Sequence, residues 1–278
     1  MNEPVKQLID AVIATHAALR TQKPLVQCLT NAVSSNFMAN VLLAAGAAPA
    51  MVDNPEEAAA FVQVASAVLV NLGTPTAAQV EAMRLAVKAA HSVGRPWVLD
   101  PIGAGGLSWR GAVAAELLAY RPTVIRGNAS EIIGLAGLGS SSRGFDSSND
   151  PADAVAAARE LLAHSAAVSA SGPVDHVVGT HEGQIRLFRI AGGSALLPRV
   201  TATGCSLGAL VAAYTAVAAS PVLALITAHV HFALAAEQAQ TVAKGPGSFM
   251  PAFVDALDAV DAEQIAQHAR IDSIELES

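Results

Sequence analysis

The feature that most constrains the fold of this sequence is the alternation of two kinds of segment across residues 25–169. Short apolar runs rich in β-branched residues alternate with longer segments of helical periodicity. The runs lie at 25–29, 50–52, 68–71, 97–99, 123–125 and 167–169, and the helical segments at 56–65, 77–91, 109–120 and 152–164. Strands joined by crossover helices pair in parallel. The pattern therefore predicts an α/β fold, a three-layer α/β/α sandwich with a mainly parallel central sheet.

The two ends of the chain depart from this alternation. Apolar residues repeat at helical spacing across 5–19, which predicts an opening amphipathic helix. Beyond residue 172, two apolar runs flank a short turn and predict a hairpin at an antiparallel edge, and the remainder is mostly helical. The hairpin is predicted at 174–180 and 184–190, and the helices at 206–219, 222–241 and 249–268. The polar residues 270–278 are expected to fray, and the absence of a linker predicts a single domain, 1–278.

Composition excludes several classes of protein. Apolar residues make up 53% of the chain and charged residues 14%, which predicts a large packed core and argues against disorder. The net charge is −7 and there is no basic run, so we expect no nucleic-acid partner. Cys28 and Cys205 lie far apart without metal-ligand spacing. They argue against a disulfide framework or a zinc site and suit a reducing cytosol.

Two segments bear on targeting and membranes. The first residues carry acid where a secretory signal carries base, so we expect a cytoplasmic location. Residues 207–236 are apolar enough to raise the question of a membrane span. Ser220 and Pro221 divide this stretch into two halves, each too short to cross a bilayer, and polar residues interrupt both. We therefore expect two buried helices of the core and no membrane partner.

Four polar segments either follow a predicted strand directly or precede a predicted helix. They are Thr30-Asn31, residues 100–106, residues 126–131 and residues 201–205. In an open parallel sheet, ligands bind beyond the carboxyl ends of the strands. These four segments are therefore the first candidates for a ligand site.

The segment 201–205 has the strongest signal for an anion. Thr203 and Gly204 precede an Ala- and Leu-rich helix, so free backbone N–H groups and the helix dipole would surround a small cavity. The alternative is a simple cap in which Thr203 begins the helix. Cys205 stands in the first turn, where the pKa of its thiol is expected to fall. It is then a polar or basic group beside a phosphoryl acceptor, or else a small core residue.

Asp100 ends an apolar run and is followed by Pro101 and several glycines. A carboxylate held rigidly at a sheet edge suits a metal ion or a hydroxyl group, and glycines let a ligand approach the backbone. The glycines do not form a dinucleotide fingerprint, because Ser108 stands where its third glycine belongs. We therefore exclude NAD binding.

Asn128 and Glu131 face one side of an opening helical turn, which suits Mg²⁺ and phosphate positioning. The alternative is a capping pair that only begins the helix. Arg126, just before them, is interpreted as a phosphate ligand or as part of a surface ion pair. His16, His91, His164, His229 and His231 fall on helical segments and are interpreted as solvated or core residues. Residues 137–150, the longest polar connection, are either a mobile loop over a site or an insertion.

Nine motifs, spread in order across nearly the whole chain, resemble those of the hydroxyethylthiazole kinase family. They include Asp100-Pro-Ile-Gly-Ala, Arg126-Gly-Asn-Ala-Ser-Glu and Thr203-Gly-Cys, and lie at 24–31, 40–46, 49–51, 71–74, 100–104, 126–131, 171–175, 203–205 and 245–249. The resemblance implies a ribokinase-like fold and transfer of the ATP γ-phosphoryl group to the hydroxyl of 4-methyl-5-(2-hydroxyethyl)thiazole, with Mg²⁺. It also implies a homotrimer with active sites between subunits.

The resemblance also assigns roles to individual residues. Thiazole binding falls to Met51, Asn31 and Ala202, ATP binding to Arg126, Ser171 and Asn128, Mg²⁺ to Asp100 and Glu131, and catalysis to Thr203, Gly204 and Cys205. Cys205 stands where related sugar kinases have a catalytic aspartate. Phosphoryl transfer needs chiefly positioning and charge stabilisation, so the anion hole at 202–205 would meet the moving group and no strong base is required.

Three residues depart from the family pattern: the family has His where this chain has Gln27, Thr where it has Ser171, and Gly where it has Ala202. Serine keeps the hydroxyl of threonine, and alanine keeps the backbone N–H of glycine. Gln27, however, leaves the identity of the acceptor substrate open. The alternatives are another ribokinase-fold kinase for a small alcohol or pyrimidine, and a nucleotide-binding protein without catalysis. A Cys/His hydrolase is a further alternative, which would need a histidine beside Cys205.

Overall fold

The computed structural model describes residues 3–137 and 151–276. Its helices are α1 (Glu3–Gln22), α2 (Ser35–Ala45), α3 (Pro55–Phe61), α4 (Ala77–Val93), α5 (Ser108–Leu117), α6 (Ala129–Leu135), α7 (Val155–Leu161), α8 (Thr203–Thr215), α9 (Pro221–Val242), α10 (Pro246–Ala259) and α11 (Ala262–His268). Its strands are β1 (Leu25–Leu29), β2 (Ala48–Ala50), β3 (Ala67–Asn71), β4 (Trp97–Asp100), β5 (Val124–Asn128), β6 (Ala167–Ser171), β7 (Val174–His181), β8 (Gln184–Ala191) and β9 (Arg270–Glu275). Most of the predicted loop 137–150 lies outside the described residues.

The described strands form one sheet of order β2-β1-β3-β4-β5-β6-β7-β8-β9. The pairs from β2 to β6 are parallel, and those from β6 to β9 are antiparallel. The predicted parallel sheet with an antiparallel edge hairpin is confirmed. Because the parallel strands point the same way, the ends of β3, β4, β5 and β6 lie side by side at one edge.

Successive residues of the central strands face opposite layers of helices. On β3, Ala67 and Leu69 pack against the layer that contains α1, α2, α8, α9, α10 and α11. Val68 and Val70 pack against the layer of α3 to α7. The side-chain period of two along a strand therefore builds a separate core on each face, and the predicted three-layer sandwich is confirmed.

Helices α8 and α9 are the apolar stretch that raised the question of a membrane. In the part of the chain that the structure describes, α9 is the one helix long and apolar enough to cross a bilayer, but 89% of its most apolar 18 residues are buried within the protein. Ser220 caps α9 by accepting from the Leu223 N–H, so the two helices separate where predicted. Two buried core helices is the interpretation that the structure supports.

The expectation that residues 270–278 fray is wrong for 270–275, which form β9. This strand pairs with β8 along its length, and Asp272 forms an ion pair with Arg189 on the neighbouring strand. Only Ile271 packs partly against the core, so the usual apolar alternation of a strand is almost missing. Backbone pairing with an exposed edge stabilises a segment that composition assigns to solvent.

Two helical segments also differ from the prediction. Residues 249–268 form two helices, because Asp261 caps α11 through a hydrogen bond from the Gln264 N–H and so begins a new helix. Helix α2 was not predicted, although its buried residues follow helical spacing and Gly46 ends it in the left-handed conformation. Both helices pack against α9 or α10, in the layer that contains α8.

Helices α1, α8, α9 and α10 enclose a small polar network. His231 Nε2 lies 2.9 Å from the Leu257 carbonyl oxygen, and its Nδ1 lies 2.8 Å from the Tyr214 hydroxyl. Since a carbonyl only accepts, Nε2 carries the proton and Nδ1 accepts from Tyr214. Burial lowers the pKa of His231 to about 3 and that of His16, whose ring packs against it edge-on, to about 4. Both rings are therefore neutral in the folded protein near pH 7.

These two histidines predict a loss of stability in acid. Below the ordinary histidine pKa of about 6.5, the unfolded chain binds protons that the folded chain does not, so the free energy of unfolding should fall as pH falls from about 6.5 towards 4. Each histidine contributes at most about 1.4 kcal/mol per pH unit. Urea unfolding at a series of pH values measures this slope. His231→Gln, which keeps a donor for Leu257, should be less stable at neutral pH and have a shallower slope; an unchanged slope would contradict the assignment.

Candidate active site

The carboxyl ends of β4, β5 and β6 and the first turn of α8 surround a cavity of about 710 Å³. Nine of the predicted site residues line it. They are Asp100, Arg126, Asn128, Glu131, Ser171, Ala202, Thr203, Gly204 and Cys205. The segments that follow β4 and β5 therefore meet the segment 201–205 at one cavity. Met51 and Asn31 do not line this cavity.

Asp100 and Arg126 form a buried ion pair at the centre of the wall. Asp100 Oδ2 lies 3.5 Å from Arg126 Nη1 and accepts a hydrogen bond of 2.9 Å from Asn71 Nδ2. The side chain of Asp100 is fully buried and that of Arg126 is 7% exposed, so the alternative of a surface ion pair for Arg126 is wrong. Asp100 Oδ1 is buried without a hydrogen-bond partner among the described residues. One carboxylate oxygen is therefore left for a ligand.

Arg126 also joins the wall of the cavity to the first turn of α8. Its Nη1 donates to the Gly204 carbonyl at 2.8 Å, and its Nη2 donates to Ser171 Oγ at 2.6 Å. Ser171 Oγ in turn donates to the Gly127 carbonyl at 3.2 Å. The planar fork of the guanidinium is thus fixed on several sides, and Ser171 does through its hydroxyl what a threonine would do there.

The surroundings of Asp100 disfavour its negative charge. Burial, together with the smaller effect of the Glu131 carboxylate, raises the pKa of Asp100 to about 7, against the opposing effect of the Arg126 charge. A cation near Oδ1 would favour the ionised form, because an opposite charge lowers a carboxyl pKa. The site as built is short of positive charge.

Asn128 and Glu131 form the capping pair that was one of the two interpretations. Asn128 Oδ1 accepts from the Glu131 N–H at 3.0 Å, and Glu131 Oε2 accepts from the Asn128 N–H at 2.8 Å. Glu131 Oε1 also accepts from the Gly103 N–H at 3.3 Å. The pair therefore begins α6 and holds the glycine-rich segment after β4, while both residues still line the cavity.

The first turn of α8 presents backbone N–H groups to the cavity. Ala202 precedes the helix in the left-handed conformation, with φ 71° and ψ −5°. Thr203 Oγ1 donates to the carbonyls of Leu197 and Val200, at 2.9 and 3.1 Å, so the interpretation of Thr203 as the helix cap is wrong. The N–H groups of the first turn have no partners within the helix and stand at the positive end of its dipole. This geometry suits an anion.

Cys205 lies in that turn, but its thiol is not acidified. Burial and the negative charge of Asp100 raise the pKa of Cys205, so the expected lowering by the helix dipole is wrong. The thiol is therefore protonated at neutral pH. None of the described residues that line the cavity is a histidine. The geometry thus offers no activated nucleophile, which argues against the Cys/His hydrolase alternative.

Asn31 lies behind Cys205 rather than in the cavity wall. Its Nδ2 lies 4.0 Å from Cys205 Sγ and donates to Asn71 Oδ1 at 3.0 Å. Met51 follows the edge strand β2 and packs partly against the core. The structure therefore brings Asn31 into contact with the site and leaves Met51 apart from it.

Gln27, one of the three departures from the family pattern, is buried in β1 away from the cavity. Its Nε2 donates to the carbonyls of Val52 and Ala58, at 3.1 and 3.0 Å. Gln27 therefore holds the chain that follows Met51, and any effect it has on a ligand is transmitted through that segment.

Sequence reasoning missed residues on two sides of the site. Asn71 ends β3 as Asp100 ends β4, so the same strand-end rule applied to β3 would have found it. The segment 192–198 also lines the cavity, but it follows an antiparallel strand, where the rule gives no signal. This segment is held from outside: Ser194 bonds to Gln240, and Gly192 packs against the ion pair of Glu237 and Arg270.

The lining of the cavity is mixed in character. It includes the charged groups Asp100, Arg126 and Glu131. It also includes apolar side chains, among them Leu197, Pro198, Leu207, Phe232 and Ala233. A ligand with an anionic part and a flat apolar part matches this combination.

Comparison with known proteins agrees with this geometry. The profile of the "Hydroxyethylthiazole kinase family" matches residues 16–263. A protein of Rhodococcus erythropolis named "Hydroxyethylthiazole kinase" is 56% identical over 269 residues, covering 96% of each chain. One of the same name from Kineococcus radiotolerans is 56% identical over 256 residues, covering 92% of each chain.

Solved structures extend the comparison to the fold. The hydroxyethylthiazole kinase protein of Pyrococcus horikoshii OT3 superposes with a TM-score of 0.84 and 36% identity, covering 95% of this chain and 99% of that one. The pyridoxal kinase of Staphylococcus aureus, in complex with AMP-PCP and pyridoxal, has a TM-score of 0.64 at 13% identity, covering 91% and 99%. This second likeness shows the fold, which is ribokinase-like as predicted. Sequence identity, coverage and structure together establish that the chain belongs to the hydroxyethylthiazole kinase family.

Proposed function

We propose that this chain transfers the γ-phosphoryl group of ATP to the hydroxyl of 4-methyl-5-(2-hydroxyethyl)thiazole, in thiamine biosynthesis. The observation that carries the proposal is the position of Arg126, which faces Asp100, Ser171 and the first turn of α8 at one cavity. A fixed guanidinium beside free backbone N–H groups forms a binding site for phosphate. The family to which the chain belongs indicates that hydroxyethylthiazole is the acceptor.

ATP would occupy this cavity. Its phosphates would meet Arg126, Ser171 and the N–H groups of residues 203–205, and Asn128 would lie beside them. The apolar side chains of Leu197, Pro198 and Phe232 would contact the base. This orientation directs the phosphate chain towards Asp100 and Cys205, where the transferred group would move.

The residues present fit Mg²⁺. Asp100 Oδ1 is a buried carboxylate oxygen without a partner among the described residues, and Glu131 lines the same cavity. Within residues 3–137 and 151–276, no three His, Cys, Asp or Glu side chains are grouped to hold a metal. Two carboxylates with phosphate oxygens and water are the usual environment of Mg²⁺. When bound, the ion would neutralise phosphate charge.

The chain's own residues then supply positioning and charge. Arg126 and the N–H groups of the first turn of α8 stand where negative charge would develop on the moving phosphoryl group, and they are held before the substrate arrives. Cys205, with its raised pKa, is a protonated thiol that can only make weak hydrogen bonds. It would therefore shape the site rather than remove the acceptor's proton, as expected for phosphoryl transfer.

We further propose a homotrimer with active sites between subunits, in the cytoplasm. Met51, assigned to the thiazole by resemblance, lies outside the cavity of one chain. A site completed by a neighbouring subunit would bring Met51 to the acceptor, with Asn31 and the Ala202 backbone nearby. Cys28 and Cys205 are both free, as in a reducing compartment.

Loss of either carboxylate should abolish most of the activity. In a coupled ADP-release assay with hydroxyethylthiazole, Asp100→Ala and Glu131→Ala should each lose about 100-fold or more, because each removes a group that orients the metal. Glu116→Ala is the matched control, since Glu116 is a surface carboxylate paired with Arg84 outside the cavity. Wild-type rates in both cavity variants would refute the assigned roles. Rapid turnover of another alcohol, with hydroxyethylthiazole ignored, would refute the acceptor.

Ala202→Gly should stabilise the protein and leave its kinetics unchanged. Alanine is strained at a positive φ that glycine adopts freely, so relief of strain should exceed the added entropy of the unfolded chain, with a net gain of about 0.5–1 kcal/mol. The backbone N–H, which would make the substrate contact, is retained. Ala209→Gly, the same change inside α8, should instead destabilise by about 1 kcal/mol or more. Urea unfolding compares the two; a loss of stability in Ala202→Gly would contradict the strain.

A further inference from the structure

His229 on α9 is buried beside the cavity and bonds to two polar side chains. Its Nδ1 lies 2.7 Å from Asp175 Oδ2, and its Nε2 lies 3.1 Å from Ser169 Oγ. A carboxylate only accepts, so Nδ1 carries a proton and donates to Asp175. Ser169 and His229 are fully buried, so neither reaches substrate and the trio is not a hydrolytic triad; of the three, only Asp175 lines the cavity.

Asp175 connects His229 to the cavity wall. Its second oxygen, Oδ1, accepts from the Gly172 N–H at 2.9 Å, across the turn that joins β6 to β7. Ser171, Gly172 and Pro173 of this turn line the cavity. Ser171 also accepts from Arg126. One carboxylate therefore fixes the turn on one side and accepts from a buried imidazole on the other.

Helix α9 contributes the facing part of the same cavity. Phe232 and Ala233 line it and follow His229 by three and four residues, so all three lie on one face of the helix. The bond from His229 to Asp175 thus joins the helix that carries Phe232 and Ala233 to the turn that carries Ser171. A shift of α9 or of this turn would change the width of the cavity between them.

We propose that His229 is a positioning residue for the nucleotide: its bond to Asp175 holds the turn 171–175 against α9 at the width that ATP requires. The inference rests on the proposed function, because it takes ATP as the molecule in the cavity. His229 acts only through Asp175 and touches no substrate. Its effect should therefore fall on the binding of ATP and not on that of the thiazole.

An asparagine and a glutamine variant of His229 distinguish this positioning role from simple packing in the core. His229→Asn places a side-chain amide near Nδ1 and keeps a donor for Asp175, whereas His229→Gln places its amide near Nε2 and loses that donor. His229→Gln should raise the KM for ATP about tenfold, as expected when a hydrogen bond to a charged group is lost, with the KM for hydroxyethylthiazole unchanged. His229→Asn should stay close to wild type. Calorimetric titration with ADP should reproduce the same order of affinities.

Two further variants distinguish a loss of ATP binding from a general disturbance of the core. Asp175→Asn has one acceptor for two donors at a partly exposed position, so it should raise the KM for ATP without disturbing the core. His231→Gln alters a second buried histidine of α9 that does not line the cavity, and it should lower stability while leaving the KM for ATP unchanged.

The outcomes distinguish this inference from the proposed function. If wild type binds ADP but His229→Gln and Asp175→Asn bind it equally well, the positioning role is refuted and the kinase proposal stands. Equal impairment of His229→Asn and His229→Gln would also refute it, because the volume of the ring would then be what matters. If wild type binds neither ATP nor ADP, both the kinase proposal and this inference fail.

Discussion

The buried ion pair between Asp100 and Arg126 is the interaction on which the candidate site depends. Two charges taken out of water are costly unless each has further partners, and removing one leaves the other uncompensated. The carboxylate receives Asn71, and the guanidinium reaches Ser171 and the Gly204 carbonyl. Since these partners come from β3, β6 and α8, the pair can be satisfied only when the sheet and the first turn of α8 are assembled. The site and the fold therefore specify each other.

Much of this arrangement could be predicted because it follows from the direction of the strands. Continuous apolar runs such as 68–71 and 97–99, separated by helical segments, predict a parallel sheet, and a parallel sheet places residues after its strands at one edge. Asp100, Arg126 and Glu131 were found in this way, without any knowledge of contacts. The signal is strong where a polar residue ends a strand that is buried on both faces, since little else explains a carboxylate there.

What could not be predicted depends on distances between segments remote in sequence. Burial and the charge of Asp100, about a hundred residues earlier, raise the pKa of Cys205, whereas the helix dipole considered alone predicted a lower pKa. His229 looked like an ordinary core histidine, because its partner Asp175 lies in a different layer. The strand β9 carries almost no apolar alternation, so only the free edge of β8 reveals where it pairs. The pattern of residues within one segment gives no information about these contacts between remote segments.

The order of β9 in the chain has a consequence for synthesis. Arg270, its first residue, pairs with Ala191 and contacts Gly192, where the cavity-lining segment 192–198 begins. Every other strand of the sheet leaves the ribosome before β9 does, so the nascent chain can assemble its parallel core while this wall of the cavity still lacks its outer support. Competence to hold a nucleotide should thus arise only after the rest of the sheet has formed.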